Sequence, residues 1–353
     1  GRSKTEHCDL LDYLSFITFF PSLVSGPIVL HGDTICQFKE PERRKWNSEK
    51  FTKGVMLFCM GLGKKVLLAD TFASGVNYGF ENIPSLDSIA ALLVALMYTL
   101  ELYFDFSGYS DMAVGIGYLF GIDLPENFDS PYQAVTVKDF WKRWHKSLST
   151  FLQNYVYFGL GGSRRGKFRT FVNTILTFLI SGLWHGANWT FLFWGFLHGI
   201  GVAVSGVIKT DRLAGKYNWK RKLLQICTFI YVCAAFVFFR ADSISDGFAL
   251  FGRIFSFERY YYIYTVAAAM EPSELYIVTK ALSLFAPKLI SKVQLGFVGI
   301  LLLISFLILR GKKSCEIVNR EKYGIGFILM LGAVFVWSVL SLSGVSSFVY
   351  FSF

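Results

Sequence analysis

The chain has 353 residues, of which 53% are hydrophobic and only 17% charged, and its mean hydropathy is +0.45. A soluble domain of this size exposes far more charge, so this composition, with 37 Phe, 18 Tyr and 8 Trp, reads as a polytopic membrane protein. The net charge of +10 fits the cationic bias of cytoplasmic loops, and equally attraction of a phosphate-bearing donor or of lipid headgroups; the basic residues cluster between apolar runs, which argues against nucleic acid.

The chain opens with "GRSKTEHCDLLDYL", without an initiating Met and with no signal peptide before the first apolar run, so further N-terminal spans are expected. Residues 10–30 form an apolar run broken by "SGPI", where Pro27 should end or kink a helix near Gly26. After the polar loop "KEPERRKWNSEK", residues 51–69 read as one short span or two interfacial pieces, because Gly61, Gly63, Lys64 and Lys65 interrupt them. Residues 87–122 are too long for one span, and "DFSGYSD" in their middle suggests two helices or one bent helix. The stretch "DLPENFDSPYQ" reads as a loop.

Over residues 137–155, Phe140, Trp141, Trp144, Leu148, Phe151 and Leu152 recur at helical spacing among Lys138, Lys142, Arg143 and Lys146. Cations between aromatic anchors describe a helix lying in the membrane interface. Residues 171–184 and 189–208 then read as a hairpin around "HGAN". Basic clusters flank both its ends, "SRRGKFR" before and Lys209, Arg212, Lys216 and the run 220–222 after, so both ends are expected to be cytoplasmic. His185 would then sit deep in the membrane or near its outer half. Later spans are expected over 223–239, 295–309 and 324–342, with shorter helices over 246–257 and 275–293. The sum is an all-α membrane protein: one integral membrane domain over 1–353, a multipass helical bundle of seven to nine spans with interfacial helices. No repeat is evident.

Chemistry narrows to a few polar groups. No Asp, Glu, Lys or Arg lies between Thr170 and Ile208, yet His185 and His198 do. A polar side chain in hydrocarbon needs a partner or a wet cavity. His185 is either a base that takes a proton from a hydroxyl or a structural histidine bonded to a neighbouring helix. His145 is either a second functional group or a solvated interfacial side chain, and His198 reads as structural. Glu101 and Asp105 share a helix face at i, i+4, and Asp111 follows; all are functional candidates or a cluster that pins other side chains. Asn188 could donate to an oxyanion, or cap the second arm, which is the simpler role.

Other chemistries fall away. Five scattered His cannot form iron-binding boxes, and there is no G-x-S-x-G and no G-x-x-x-x-G-K-[ST]. Six Cys without a CxxC pair read as buried thiols rather than as a disulfide framework or metal ligands. A proton-coupled transporter remains the competing class, and a scaffold in a secretion complex a third.

Four stretches in order, "FFPSLVSGPI", "YFDFSGYSDMAVGIGYLFGIDLPENFDSPY", "DFWKRWHKSLSTFLQNYVYFGLGGSRRG" and "SGLWHGANWTFLFWGFLHG", resemble the membrane-bound O-acyltransferases, with the alginate O-acetyltransferase branch most similar and the teichoic acid D-alanyl transferases the next relative. The resemblance, followed from Leu14 to the closing "FVYFSF", implies a helical fold around a transmembrane tunnel. It implies acyl transfer, acetyl above all, from a cytoplasmic thioester, acetyl-CoA or an acylated carrier protein, to hydroxyls of an exported polysaccharide. The donor is a substrate, and no resident cofactor or metal is implied. His185 matches the essential His of the W-H-G motif and His145 the second His of W-x-x-W-H. Asp105, Asp111, Asn188, Trp184, Trp144, Lys142 and Arg143 are the candidate substrate contacts, with Lys138, Arg164 and Arg165 adding attraction for the donor. Glu101 stands where the family has Gln. Partners implied are envelope polysaccharide-modification proteins and lipid, in the inner membrane.

Overall fold

The computed structural model describes residues 9–23, 26–208, 218–258, 262–320 and 322–344; Cys8, the basic residues Lys209, Arg212 and Lys216, and the closing "FVYFSF" lie outside them. Among the described residues the regular structure is helical, with no strand. The first apolar run is not a single span. Helix α1 (Leu10–Ile17) ends well before Gly26, a turn at Phe20–Ser22 carries Pro21 at its second position, and α2 (His31–Lys39) follows. So early in a helical turn the N–H that proline lacks would have no partner within the turn.

Residues 48–81 form one continuous rod, where the sequence suggested a short span or two pieces. Helix α3 (Ser48–Gly63) passes through a π-helical turn (Lys64–Ala69) into α4 (Asp70–Glu81). The lysines that look like an interruption are neutralised inside the protein. Lys65, only 3% exposed, places its ammonium 2.8 Å from Asp70 and 2.7 Å from Asp105. Lys64 lies 2.7 Å from Asp111. The same pairs explain why α5 (Ser88–Leu119) is one 32-residue helix without a break at "DFSGYSD". Asp105 and Asp111 face the lysines of the rod rather than lipid.

Glycines set the distance between rod and α5. A Cβ on Gly54 would stand 2.7 Å from the Gly115 carbonyl oxygen, and one on Gly115 the same distance from that of Gly54; Gly61 and Gly108 repeat the arrangement one heptad along. The two backbones touch, as small-residue seams allow in membrane helices.

The segment 137–155 is not one interfacial helix. Helix α6 (Val137–Arg143) is capped by Thr136, whose hydroxyl accepts from the Asp139 amide, and it stops at Trp144. The chain reverses at His145, which adopts a left-handed conformation (φ 44°, ψ 54°), and α7 (Lys146–Leu152) departs in a new direction. The hairpin is as the sequence suggests: α8 (Gly166–His185) and α9 (Trp189–Ile208) pack antiparallel through Gly182 on Phe191, Gly195 on Phe178 and Gly199 on Ile175. At 20 residues, α8 is about 30 Å long, enough to cross a bilayer, so His185 lies at its end rather than at its middle.

Helix α6 runs alongside α9, with Val137 against Gly201 and Trp141 against His198 and Trp194, so its C-terminus points at the hairpin tip. It is thus embedded beside a span rather than laid across the interface. The remaining helices are α10 (Asn218–Arg240), α11 (Ile244–Ile254), α12 (Tyr262–Ala269), α13 (Ser273–Phe285), α14 (Ile290–Arg310), α15 (Ser314–Val318) and α16 (Ile325–Leu340). Among the described residues, four helices are long and apolar enough to cross a membrane, Ser88–Leu119, Trp189–Gly206, Asn218–Arg240 and Pro287–Arg310, and Ile325–Leu340 is a shorter apolar helix. Other apolar runs counted among the expected seven to nine spans lie on shorter helices or on helices that carry charge, such as α3 and α8. The core that positions the site is aromatic: Tyr98, Phe104, Phe140, Trp144, Trp194, Phe236 and Phe239 are all fully or almost fully buried.

Candidate active site

His185 closes the last turn of α8 and is 9% exposed. Its ring meets Trp194 and Phe239 edge-on, each at 5.1 Å between centroids. The surrounding surface is open: Leu183, Trp184, Ala187, Asn188 and Trp189 are exposed. His185 therefore lies one side chain beneath the hairpin tip.

His145 reaches the same place from the reversal between α6 and α7. It is 3% exposed, not a solvated interfacial side chain. Phe106 stands perpendicular to its ring at 4.6 Å. Trp184, 55% exposed, touches both histidines, with its ring 4.9 Å from His185 and 6.5 Å from His145. Forty residues of sequence separate two imidazoles that share one indole. His198 joins from behind: the Trp141 indole N–H donates to its Nδ1 at 3.1 Å, and Trp194 lies 5.0 Å from it and 5.1 Å from His185. An indole only donates, so Nδ1 is the unprotonated nitrogen of His198.

The other candidates scatter. Asp105 is held by Lys65 and sits in the core, and Asp111 is held by Lys64. Arg143 is engaged by Asp139 at 2.9 Å and by the Asp129 carbonyl at 3.4 Å. Trp144 is buried among Phe128, Phe140 and Phe236. Asn188 accepts from the Thr190 amide at 3.2 Å, a cap on α9, and donates to the Asp242 carbonyl. Lys138, Lys142, Arg164 and Arg165 are exposed. Of the nine named residues, His145, His185 and Trp184 converge; the first two carboxylates belong to the ion pairs that hold the rod to α5. Glu101 is buried, and its Oε2 has no hydrogen-bond partner among the described residues.

A small recess, with a cavity volume of about 20 Å³, lies beside the His145 reversal, lined by Lys64, Tyr103, Asp111, Asn127, Lys313 and Cys315 among others. Lys313 and Glu126 pair at 2.8 Å at its rim. Sequence reading passed over Asn127, which looked like one more turn former in "DLPENFDSPYQ"; its signal is burial, at 1% exposed. Among the described residues no group of three or more His, Cys, Asp or Glu could hold a metal ion.

The sequence profile of the membrane-bound O-acyltransferase family matches residues 1–244, stopping short of the C-terminal helices. A peptidoglycan O-acetyltransferase of Helicobacter pylori is 45% identical over 237 residues, which cover 67% of this chain and 45% of that protein. A probable alginate O-acetylase of Pseudomonas aeruginosa is 40% identical over 262 residues, 73% of this chain and 48% of that protein. A teichoic acid D-alanyltransferase of Bacillus subtilis is 31% identical over 252 residues, 66% of this chain and 62% of that protein. The chain spans about half the length of the O-acetylating relatives. Two histidine motifs joined in space, a multipass helical membrane fold and a match over two thirds of the sequence lead to one conclusion: the chain belongs to the membrane-bound O-acyltransferase family.

Proposed function

We propose that the chain carries the catalytic histidines of an O-acyltransferase that moves an acetyl group from a cytoplasmic thioester to hydroxyls of an exported polysaccharide in the cytoplasmic membrane. The observation that carries this reading is the meeting of His145 and His185 around Trp184. The O-acetylating relatives, at 40–45% identity, favour acetyl over D-alanyl, whose relatives stand at 29–31%.

The layout suits substrates arriving from opposite sides. Lys313, Ser314 and Cys315 line the recess just past the end of α14, and Gln133 joins that end of α14 to α10 by donating to the Leu309 carbonyl and accepting from Gln225. Arg43, Lys50, Arg310, Lys312 and Lys313 near that end support a cytoplasmic position for it by the cationic rule. Phe239, against His185, is fourteen residues further along α10, roughly 20 Å away at 1.5 Å per residue. The thioester then approaches from the cationic end of the bundle, and the hairpin tip meets the polymer. His185 takes the proton of the acceptor hydroxyl as its oxygen attacks the thioester carbonyl; the C–S bond breaks, and the thiolate recovers the proton from His185. His145 orients the acceptor or supports that transfer. The donor is acetyl-CoA or an acylated carrier protein.

A positioned base contributes 10²–10⁴-fold. Mass spectrometry of extracellular polymer from cells with His185→Ala should show acetyl content reduced by about that factor at unchanged protein level in the membrane. Undiminished acetylation by this variant would end the proposal.

A further inference from the structure

Residue 145 immediately precedes the first residue of α7, the position whose side chain ordinarily caps a helix. The amides at the start of α7 need acceptors, and an N-cap side chain normally supplies one. The His145 side chain makes no such bond. Asn127 does it instead, from a segment eighteen residues earlier. Its backbone carbonyl accepts from the Lys146 amide at 3.0 Å. Its side-chain oxygen accepts from the Ser147 amide at 3.2 Å and from the Ser147 hydroxyl at 2.7 Å. Its amide group donates to Ser110 on α5 at 3.4 Å, which anchors the clamp to the longest helix of the bundle. Two residues along, the Asp129 amide donates to the Arg143 carbonyl at 2.9 Å, so both arms of the reversal are held by the same short segment. The Ser147 hydroxyl also accepts from the Ile28 amide at 3.0 Å, which adds a third strand of chain to the turn.

The consequence for the imidazole is specific. Nδ1 of His145 has no hydrogen-bond partner among the described residues, so its direction comes from two sources: the left-handed backbone and the rings of Phe106 and Trp184. A non-glycine residue keeps a positive φ only where the surroundings fix it. Asn127 supplies that constraint. We infer that Asn127 is a positioning residue for the acyl-transfer reaction: by capping α7 in place of His145, it holds the reversal in its left-handed form and leaves the imidazole free to face the substrate. The inference rests on the acyltransferase reading above.

The test is a set of variants of the full-length protein in membranes: Asn127→Ala, Asn127→Asp, Ser147→Ala and His145→Ala, alone and in pairs. Asn127→Ala should lower kcat by about 10²-fold, the effect of displacing a reacting group by about 1 Å, with KM nearly unchanged. Asn127→Asp keeps the accepting oxygen and should recover at least tenfold of that loss. Combined with His145→Ala, Asn127→Ala should cost nothing further, because it acts through a side chain already removed. Amide exchange at Lys146 and Ser147 should quicken in Asn127→Ala and Ser147→Ala but not in His145→Ala. If Asn127→Ala does not accumulate, Ser147→Ala and Asn127→Asp carry the comparison. Additive losses in the paired variant, or wild-type kcat with fast exchange, would overturn the inference. An unaltered protein that transfers no acyl group would remove the function itself; slow exchange at Lys146 and Ser147 would then show the clamp intact.

Discussion

Gly182→Ala probes the hairpin that carries His185. The added methyl would stand 2.4 Å from the Phe191 carbonyl oxygen and 3.0 Å from its carbon, both backbone atoms that cannot rotate away. Restoring ordinary contact near 3.5 Å requires α8 and α9 to part by about 1 Å. Overpacking of this kind costs about 1–3 kcal/mol, and the better helix propensity of Ala returns about 1 kcal/mol, so the protein should still fold with a modest loss of stability. Function should suffer more. His185 is the next turn of the same helix, and about 1 Å of misplacement of a reacting group costs on the order of 10²-fold in rate. Gly206→Ala is the control, because a Cβ there meets nothing within 4 Å. Acyl content of extracellular polymer, normalised to the amount of protein in the membrane, should fall about 10²-fold for Gly182→Ala and stay level for Gly206→Ala. Equal behaviour of the two variants would refute the link between helix spacing and the base.

Three further expectations rest on separate features. Lys65→Met leaves Asp70 and Asp105 buried without their cation and should destabilise the protein by about 3–5 kcal/mol in thermal unfolding, with Asp105→Asn in the same chain reducing the loss. Cys315 lines the recess, and burial first, then the nearby Asp111 and Glu126 carboxylates, push its thiol above the usual range. Its alkylation by N-ethylmaleimide, read on the Cys315 peptide, should be slow at neutral pH and rise about tenfold per pH unit through alkaline pH. Burial raises the Asp123 carboxyl, but its hydrogen bonds to Lys50 and Arg43 outweigh this and hold it below the usual carboxylate range. Its contribution is therefore complete above its ordinary value near 4 and disappears as pH falls through the lower folded value. The difference in thermal stability between the protein and Asp123→Asn should be constant from pH 7 to 5 and vanish in stronger acid.

Fold class was readable from composition alone, since little charge and abundant aromatic side chains leave few alternatives to a helical membrane protein. The hairpin was readable too, because 170–208 carries no ionised side chain and basic clusters mark both ends. His185 and His145 stood out as polar groups in or beside apolar runs. What composition and spacing could not supply was pairing. Lys64, Lys65, Asp105 and Asp111 look like interruptions in a one-dimensional hydropathy profile, and only contact between the rod and α5 turns them into neutralised pairs that let both helices run unbroken. The reversal at Trp144–His145 was hidden for a similar reason: helical spacing continues through it, and the force that stops α6 comes from Asn127 and Asp129, a segment that reads as an ordinary loop. Local sequence thus decided which side chains had to leave water, while the tertiary fold decided which of them were spent on one another as ion pairs and which were gathered at the tip of the hairpin, because a charge or a hydrogen bond inside lipid is settled by its neighbour in space rather than by its neighbour in the chain.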